Sequence, residues 1–373
     1  MCELSMMNAT HAESPHVLFV ALFRGDSFGD ALRRSALHLS ARGKDQALPC
    51  FHALVNKVVS TVPTWISQHT LSQMPPDAVE QHRNLSRGKP TGAGIFLWKL
   101  FLYRLIPVRK LIVLDVDVVL VSSAKIHGLW MHFETFSARH VIGIVPEQGP
   151  TYAGLGASVS GYNGGVQLHH LERMRNHADW APGASSNVTA GLRMPPADSS
   201  NTTSSGSKAT FDSFVRHCAS AGCRGWDKVE PSLGDQTFYT HVCHAAPHLC
   251  RQLPCGWNRQ LSTRFYRAHD FAVKWHACAG RCKLLHFNQP LLEGIVPDLQ
   301  HPNRQPSCAE CRRALSDLEN RTRASGSRNP KFTWGDSKAY MARQIEACCC
   351  PLQTSDGDSR DGNGTRTARK GAD

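Results

Sequence analysis

Long apolar runs, runs of basic residues and repeats are all missing from this chain. A helix that spans a bilayer needs about 20 apolar residues in succession. The stretch Val17 to Phe23 is too short, and Ile95 to Ile106 is interrupted by Lys99 and Arg104. No targeting segment is visible, so membrane association is expected only through an anchor outside the chain as given. Lysine and arginine are scattered and form no long block. The net charge of +12, from 42 Lys and Arg against 30 Asp and Glu, therefore reads as a general attraction for anionic ligands or surfaces, and nucleic acid is not an expected partner. With no homopolymeric or repeating segment, the 373 residues are enough for one large α/β domain or two smaller ones. One domain with decorations is the expected arrangement.

Cysteine, by contrast, is abundant. Of 14 cysteines, Cys2 and Cys50 come early and the rest follow at Cys218, Cys223, Cys243, Cys250, Cys255, Cys278, Cys282, Cys308, Cys311, Cys348, Cys349 and Cys350. Asn-x-Ser/Thr sequons occur at Asn8, Asn84, Asn187, Asn201, Asn320 and Asn363. Together they point to an oxidising, glycosylating compartment. Zinc is the rival for the C-terminal cysteines, because Cys308-x2-Cys311 with Cys348 to Cys350 could supply a set of thiolates; disulfides are the preferred reading. Residues 1–15 read as a disordered leader, 16–300 as the main domain with a flexible Ser/Gly/Ala/Pro-rich insertion at about 176–230, 301–352 as a Cys-rich extension and 353–373 as a disordered tail.

The functional reading is organised around Lys110 to Val121, an apolar run that carries Asp115 and Asp117 one residue apart. Side chains at i and i+2 project to the same side of an extended chain, so two acids at the end of a buried strand converge on one cation. Two adjacent carboxylates repel unless a metal or a proton sits between them. Upstream, His16 to Phe23 reads as a buried strand and Arg24-Gly25-Asp26-Ser27-Phe28-Gly29 as a ligand-cradling loop. Ala31 to Ala41 reads as a helix with Leu32, Ser35, Ala36 and Leu39 inward, and Pro49 to Val55 as a second strand. That order belongs to a nucleotide-binding α/β half, in which ligands sit at the carboxyl ends of the strands. Residues 62–92 read as polar and irregular. Ile95 to Ile106 reads as a helix stopped by Pro107, with Lys99 either solvated or turned toward a phosphate. A helix-like segment, Lys125 to Phe136, and a strand, His140 to Val145, follow.

Gly161-Tyr162-Asn163-Gly164-Gly165-Val166-Gln167-Leu168 sets paired glycines before a short apolar strand. Such glycines let backbone approach a ligand closely, and Asn163 offers both a donor and an acceptor; a plain Asn-Gly turn is the alternative. Gly234-Asp235-Gln236-Thr237-Phe238-Tyr239 reads as a helix start with an acid in its first turn. Leu253-Pro254-Cys255-Gly256-Trp257-Asn258 comes next, then Lys283-Leu284-Leu285-His286-Phe287-Asn288, a short strand ending in a histidine.

In this order the motifs resemble glycosyltransferase family 8, and within it the eukaryotic branch of glucoside xylosyltransferases and bifunctional xylosyl-glucuronyl transferases. The similarity covers residues 16–175 and 230–295. It implies an α/β GT-A nucleotide-diphospho-sugar transferase fold, with a mixed central sheet flanked by helices and a Rossmann-like N-terminal half. It implies retaining transfer of a sugar, xylose or a hexose, from a UDP-sugar to a glycan or glycoprotein acceptor in the Golgi or secretory lumen, assisted by Mn2+ or another divalent cation. Carried over by motif, Asp115, Asp117 and His286 hold the metal, while Asn163 and Gly164 border the donor sugar and Asp115 also counts among the donor-binding residues. Asp235 and Gln236 lie beside the reacting carbon, Gln236 being the preferred source of a stabilising oxygen. Phe23, Arg24 and Asp26 fall near the uracil and ribose, and Lys99 stands where many relatives place a basic residue facing the donor.

The chemistry asks for the same residue types. A UDP leaving group gathers negative charge as the glycosidic bond breaks, and a divalent cation across the pyrophosphate stabilises it. Two carboxylates and an imidazole suit manganese, and an oxygen near the sugar stabilises its oxocarbenium character. Many relatives follow the histidine with a glycine and a lysine, whereas His286-Phe287-Asn288-Gln289-Pro290-Leu291-Leu292 has neither, which leaves Lys99 or Lys283 for the phosphates. Thr237 stands where many relatives carry a second acid. The missing lysine keeps open a catalytically weak or inactive member that binds a nucleotide sugar or glycan. Haloacid-dehalogenase-like phosphatases also begin with Asp-x-Asp after an apolar strand, but they need later acids, and no Asp-Asp pair occurs in the chain.

Overall fold

A computed structural model describes residues 14–20, 27–40, 49–55, 63–86, 94–121, 126–148, 161–177, 180, 235–261, 278, 281–287, 306–324, 345 and 348–350. The expected donor-binding loop with Phe23, Arg24 and Asp26 lies outside the described residues, as do nearly all of the expected leader, most of the expected insertion and the expected tail. The strands, in chain order, are β1 His16–Val20, β2 Cys50–Val55, β3 Ser67–Thr70, β4 Leu111–Asp115, β5 Val118–Leu120, β6 Ile142–Pro146, β7 Tyr162–His169, β8 Cys250–Gln252, β9 Arg259–Gln260 and β10 Leu284–His286.

These strands form a seven-stranded sheet in the order β3-β2-β1-β4-β7-β6-β8 and a three-stranded sheet in the order β5-β10-β9. The β3-β2-β1-β4 half is all parallel, β7 runs antiparallel to both β4 and β6, and β8 is parallel to β6. The large sheet is thus mixed, with the expected Rossmann-like first half. β4 is central, and its Leu-Ile-Val-Leu run is buried throughout, as a strand covered on both faces requires. The order of strand addition reverses between β1 and β4, where Val20 lies opposite Asp115. Such a switch point opens a crevice at the strands' carboxyl ends.

Two apolar layers cover the large sheet. Leu32, Ala36 and Leu39 of the helix Ser27–Ser40 pack with Val17, Phe19 and Phe51 on one face, the inward pattern expected from the sequence. Phe238, Tyr239 and Val242 of the helix Asp235–Ala245 join Leu18, Val113 and Ile144 on the other. Trp180, within the stretch expected to be a flexible insertion, is buried there and stacks on Tyr239.

Two expectations need correction, and one choice between alternatives is decided. Residues 62–92 are not irregular throughout, since they contain β3 and a helix, Pro76–Ser86. β3 reads Ser-Gln-His-Thr because it is the edge of the sheet and only half covered, and the helix starts on a proline whose fixed φ suits a first turn. Lys110 to Val121 is not one strand. β4 ends at Asp115, the chain turns at Val116 and Asp117, and β5 enters the second sheet. The preferred disulfide reading of the C-terminal cysteines holds over its zinc rival, because they pair as Cys282–Cys348, Cys308–Cys350 and Cys311–Cys349. Cys243–Cys250 and Cys255–Cys278 are bridged as well. No helix among the described residues is long and apolar enough to cross a membrane.

Candidate active site and metal centre

Three strand ends and one helix start meet at the switch point. β4 delivers Asp115 at its carboxyl end, and its antiparallel neighbour β7 brings Asn163 and Gly164 there at its amino end. Between β6 and β7 the register shifts, for Ile144 faces Gln167 while the next residue, Val145, faces Asn163. Gly164, Gly165 and Val166 are therefore released from the β6 ladder. Bulges of this kind re-aim side chains beside active sites. Asp235 and Gln236 arrive on the first turn of the helix that follows.

His286, far off in sequence, is placed by backbone pairing in the small sheet. It lies opposite Val118, and the next residue's amide, Phe287 N, donates to Asp117 O at 2.9 Å. The imidazole Nε2 stands 3.4 Å from Asp117 Oδ1 and 3.8 Å from Asp115 Oδ2. Asp115, Asp117 and His286 thus offer ligand atoms within 4.8 Å of one another. Asp117 Oδ1 is buried with no hydrogen-bond partner, an arrangement that costs free energy unless a cation completes it. Burial pushes the Asp115 carboxyl up, with Asp117 adding to the effect against the pull of Lys99. At His286 burial acts downward but is outweighed by the two aspartates, and the net shift is upward. An acceptor-rich trio of two carboxylates and one imidazole, one oxygen unsatisfied, fits a divalent cation.

Lys99 is 1 % exposed. Its Nζ donates to Asp115 Oδ1 at 2.7 Å and to Gly164 O at 2.9 Å, and lies 3.5 Å from Asp235 Oδ2. The ammonium bridges the metal-site acid and the helix acid instead of standing solvated. Lys283 Nζ sits over the Trp257 ring at 4.4 Å from its centroid. Asp235 is pushed up to about 6 by burial, although Lys99 pulls the other way. Gln167 Nε2 donates to Asp235 Oδ2 at 2.6 Å and to Gly164 O at 2.8 Å, which ties the helix start to β7.

The second half of the cluster is a set of side-chain amides gathered around one further acid. Asn163 Nδ2 donates to Glu147 Oε2 at 3.1 Å, and Gln236 Nε2 donates to the same oxygen at 2.8 Å. Gln236 Oε1 accepts from Gly164 N at 3.3 Å. Asn258 Nδ2 donates to Asn163 Oδ1 at 2.8 Å, and Asn258 Oδ1 pairs with His286 Nδ1 at 3.0 Å. Of the candidate residues named from the sequence, Lys99, Asp115, Asn163, Gly164, Asp235, Gln236 and His286 are linked by hydrogen bonds and ion pairs into one cluster, and Asp117 joins it beside His286 and Asp115. Glu147, Gln167 and Asn258 were not singled out. Glu147 carries a signal of its own, an acid directly after a buried apolar strand, whereas Asn258 stands in a motif whose pattern assigns it no chemistry.

No family model matches the chain. Human xyloside xylosyltransferase 1 is 26 % identical over 234 residues, covering 57 % of this chain and 51 % of that protein. Human xylosyl- and glucuronyltransferase LARGE2 is 29 % identical over 209 residues, covering 53 % of this chain and 23 % of that protein. The chain thus spans about half the length of the first relative and about a quarter of the second. The crystal structure of mouse xyloside xylosyltransferase 1 in its apo form superposes with a TM-score of 0.52 at 19 % identity, covering 74 % of this chain and 97 % of that one. The fold is GT-A, and the resemblance read from the motifs, to glycosyltransferase family 8 and its xylosyltransferase branch, is the one the relatives bear out.

Proposed function

We propose, from this fold and these relatives, that the protein is a glycosyltransferase that moves a sugar, xylose or a hexose, from a UDP-sugar to a glycan or glycoprotein acceptor with retention of configuration. The observation that carries the reading is the meeting of Asp115, Asp117 and His286 with Asn163, Gly164, Asp235 and Gln236 in one cluster at the switch point, buried but for the two partly exposed metal-site aspartates. Asp115, Asp117 and His286 would hold a divalent cation, manganese by the donor set, and that cation when bound would supply Lewis-acid stabilisation to the leaving diphosphate. Lys99 pulls against the burial that raises the Asp115 and Asp235 carboxyls, and its contacts with both hold them side by side. Glu147 and the Gly164 amide fix the Gln236 amide from its two ends, so its carbonyl oxygen is a pre-oriented neutral dipole for positive charge on the donor sugar. The disulfides and the relatives' chemistry support work in the Golgi or secretory lumen.

A second reading, donor binding without turnover, is favoured by one observation: the Lys99 ammonium is directed to Asp115, Gly164 and Asp235 rather than to a cleft. Both readings are separated by assaying UDP release with Mn2+ from UDP-xylose, UDP-glucose, UDP-galactose and UDP-glucuronate. The transferase reading expects slow hydrolysis of at least one donor and its loss, by roughly 100-fold or more, in Asp117→Ala. UDP binding without hydrolysis of any donor selects the second reading, and no binding of UDP or any donor rejects both.

A further inference from the structure

We propose that Asn258 is a positioning residue that dictates which nitrogen of His286 faces Asp115 and Asp117, and so sets the trio for a divalent cation. The inference rests on the metal reading above, and its test separates the two. The argument starts from a donor whose identity is beyond choice, the backbone N–H of Gly165, which donates to Asn163 Oδ1 at 3.0 Å. That contact fixes the Asn163 amide, with its oxygen toward Gly165 and its nitrogen toward Glu147 Oε2. An oxygen at that point can only accept, so Asn258 must turn its Nδ2 toward it. The Asn258 oxygen is thereby left facing His286 Nδ1 at 3.0 Å.

A carbonyl oxygen accepts and never donates, so His286 carries its hydrogen on Nδ1. The lone pair of the neutral ring is then on Nε2, the atom that lies 3.4 Å from Asp117 Oδ1 and 3.8 Å from Asp115 Oδ2. The opposite flip of Asn258 would oppose two acceptors at Asn163 inside a residue that is 0 % exposed, which leaves a buried polar pair unsatisfied. Asn258 cannot easily swing away, for Gln148 Nε2 donates to its backbone carbonyl at 2.7 Å and the Cys255–Cys278 disulfide ties down its turn. One backbone amide thus orients an imidazole through two asparagine side chains. Partners of this kind fix the tautomer and direction of a ligating histidine, and losing one costs roughly 10–100-fold in metal affinity.

Two substitutions divide a positioning role from a packing role. Asn258→Asp keeps an oxygen for His286 Nδ1–H and, as the neutral acid that burial favours, donates its hydroxyl to Asn163 Oδ1, whereas Asn258→Ala removes both contacts. Mn2+ affinity is measured by titration, and the nitrogen coupling of a bound imidazole by pulsed electron paramagnetic resonance. Wild type and Asn258→Asp should bind with affinities within about threefold of each other and show the nitrogen coupling, while Asn258→Ala should lose roughly 10–100-fold and the coupling with it. Wild-type affinity and coupling in Asn258→Ala overturn the proposal, and so does an Asn258→Asp protein as weak as Asn258→Ala. If Asn258→Ala does not fold, ¹⁵N-histidine spectra of the wild type decide, recorded at a pH where the ring is neutral and assigned with His286→Gln. Hydrogen on Nδ1 supports the proposal and hydrogen on Nε2 overturns it. A wild type that binds no Mn2+ rejects the metal reading instead, and the tautomer in those spectra still decides the role of Asn258.

Discussion

A Cβ built on Gly165 collides with the His286 ring, and one built on Gly164 comes within 2.9 Å of Asp235 Oδ2. The paired glycines therefore leave space for two functional side chains of the protein itself. Close approach of backbone to a ligand, the reason suggested by composition, is a different use of the same missing Cβ. From the sequence the glycines were visible and their neighbours were not, because His286 is brought to them by pairing across a second sheet. Gly165→Ala should push the imidazole off the Asp115–Asp117 pair. Overpacking a filled site costs about 1–3 kcal/mol, so a fall in Tm of a few degrees is expected, together with a loss of Mn2+ affinity of about tenfold or more. Thermal unfolding and Mn2+ titration on the same preparation check both. An alanine variant that melts lower but binds Mn2+ as the wild type does would mean that the ring's position does not matter to the metal.

At the scale of elements, β1, β2 and β3 carry a relay of histidines across one face of the sheet. His16 Nδ1 lies 3.1 Å from His52 Nε2, and His52 Nδ1 lies 3.0 Å from His69 Nε2. Burial, reinforced by its two neighbours, pulls His52 down to about 3. The unfolded chain takes up a proton near pH 6.5 that folded His52 refuses until about pH 3, so this residue contributes stability that is complete above pH 6.5 and is lost as the pH falls toward 3. His52→Gln should flatten the fall of Tm between pH 7 and about pH 4.5, read against the wild type so that the opposite contributions of Asp235 and His286 cancel. An unchanged slope would show that His52 is not a source of acid sensitivity. The first strands and the helix between them were legible because their apolar periodicity is strong, and Leu32, Ala36 and Leu39 do face inward. β3 was not, since an edge strand reading Ser-Gln-His-Thr has no apolar face to announce it. The break between β4 and β5 was hidden for another reason: an apolar run has the same pattern whether it stays in one sheet or crosses into a second. The convergence of Asp115 and Asp117 was foreseen, but a turn between sheets produces it, not the alternation of a single strand.

At the scale of the whole molecule, the cysteine-rich end is a wall of the small sheet. Side chains alternate along β10, so that Leu284 joins the core under the large sheet while Leu285 and Phe287 pack with Cys311, Ala314, Ile345 and Cys348 on the far side. His286 lies between them and points to the metal-site pair. The sequence could show the cysteines but not this role, because connectivity depends on which residues the fold brings together, and Cys282–Cys348 spans 66 residues. By loop length alone such a bridge stabilises by about 4 kcal/mol, and by less here because Cys308–Cys350 and Cys311–Cys349 already close much of the same loop. Since Cys282 stands only two residues before β10, releasing it should loosen the strand that presents His286. The paired substitution Cys282→Ser and Cys348→Ser is expected to lower Tm by several degrees and Mn2+ affinity by about tenfold, as for other losses of support around a ligand. Cys243→Ser with Cys250→Ser removes a bridge of only 7 residues between the helix Asp235–Ala245 and β8, and should lower Tm while leaving Mn2+ affinity as it was. If both pairs lower Tm and neither alters Mn2+ affinity, the Cys-rich segment stabilises the fold without supporting the site; a loss confined to Cys282 and Cys348 makes that segment part of the metal centre's architecture.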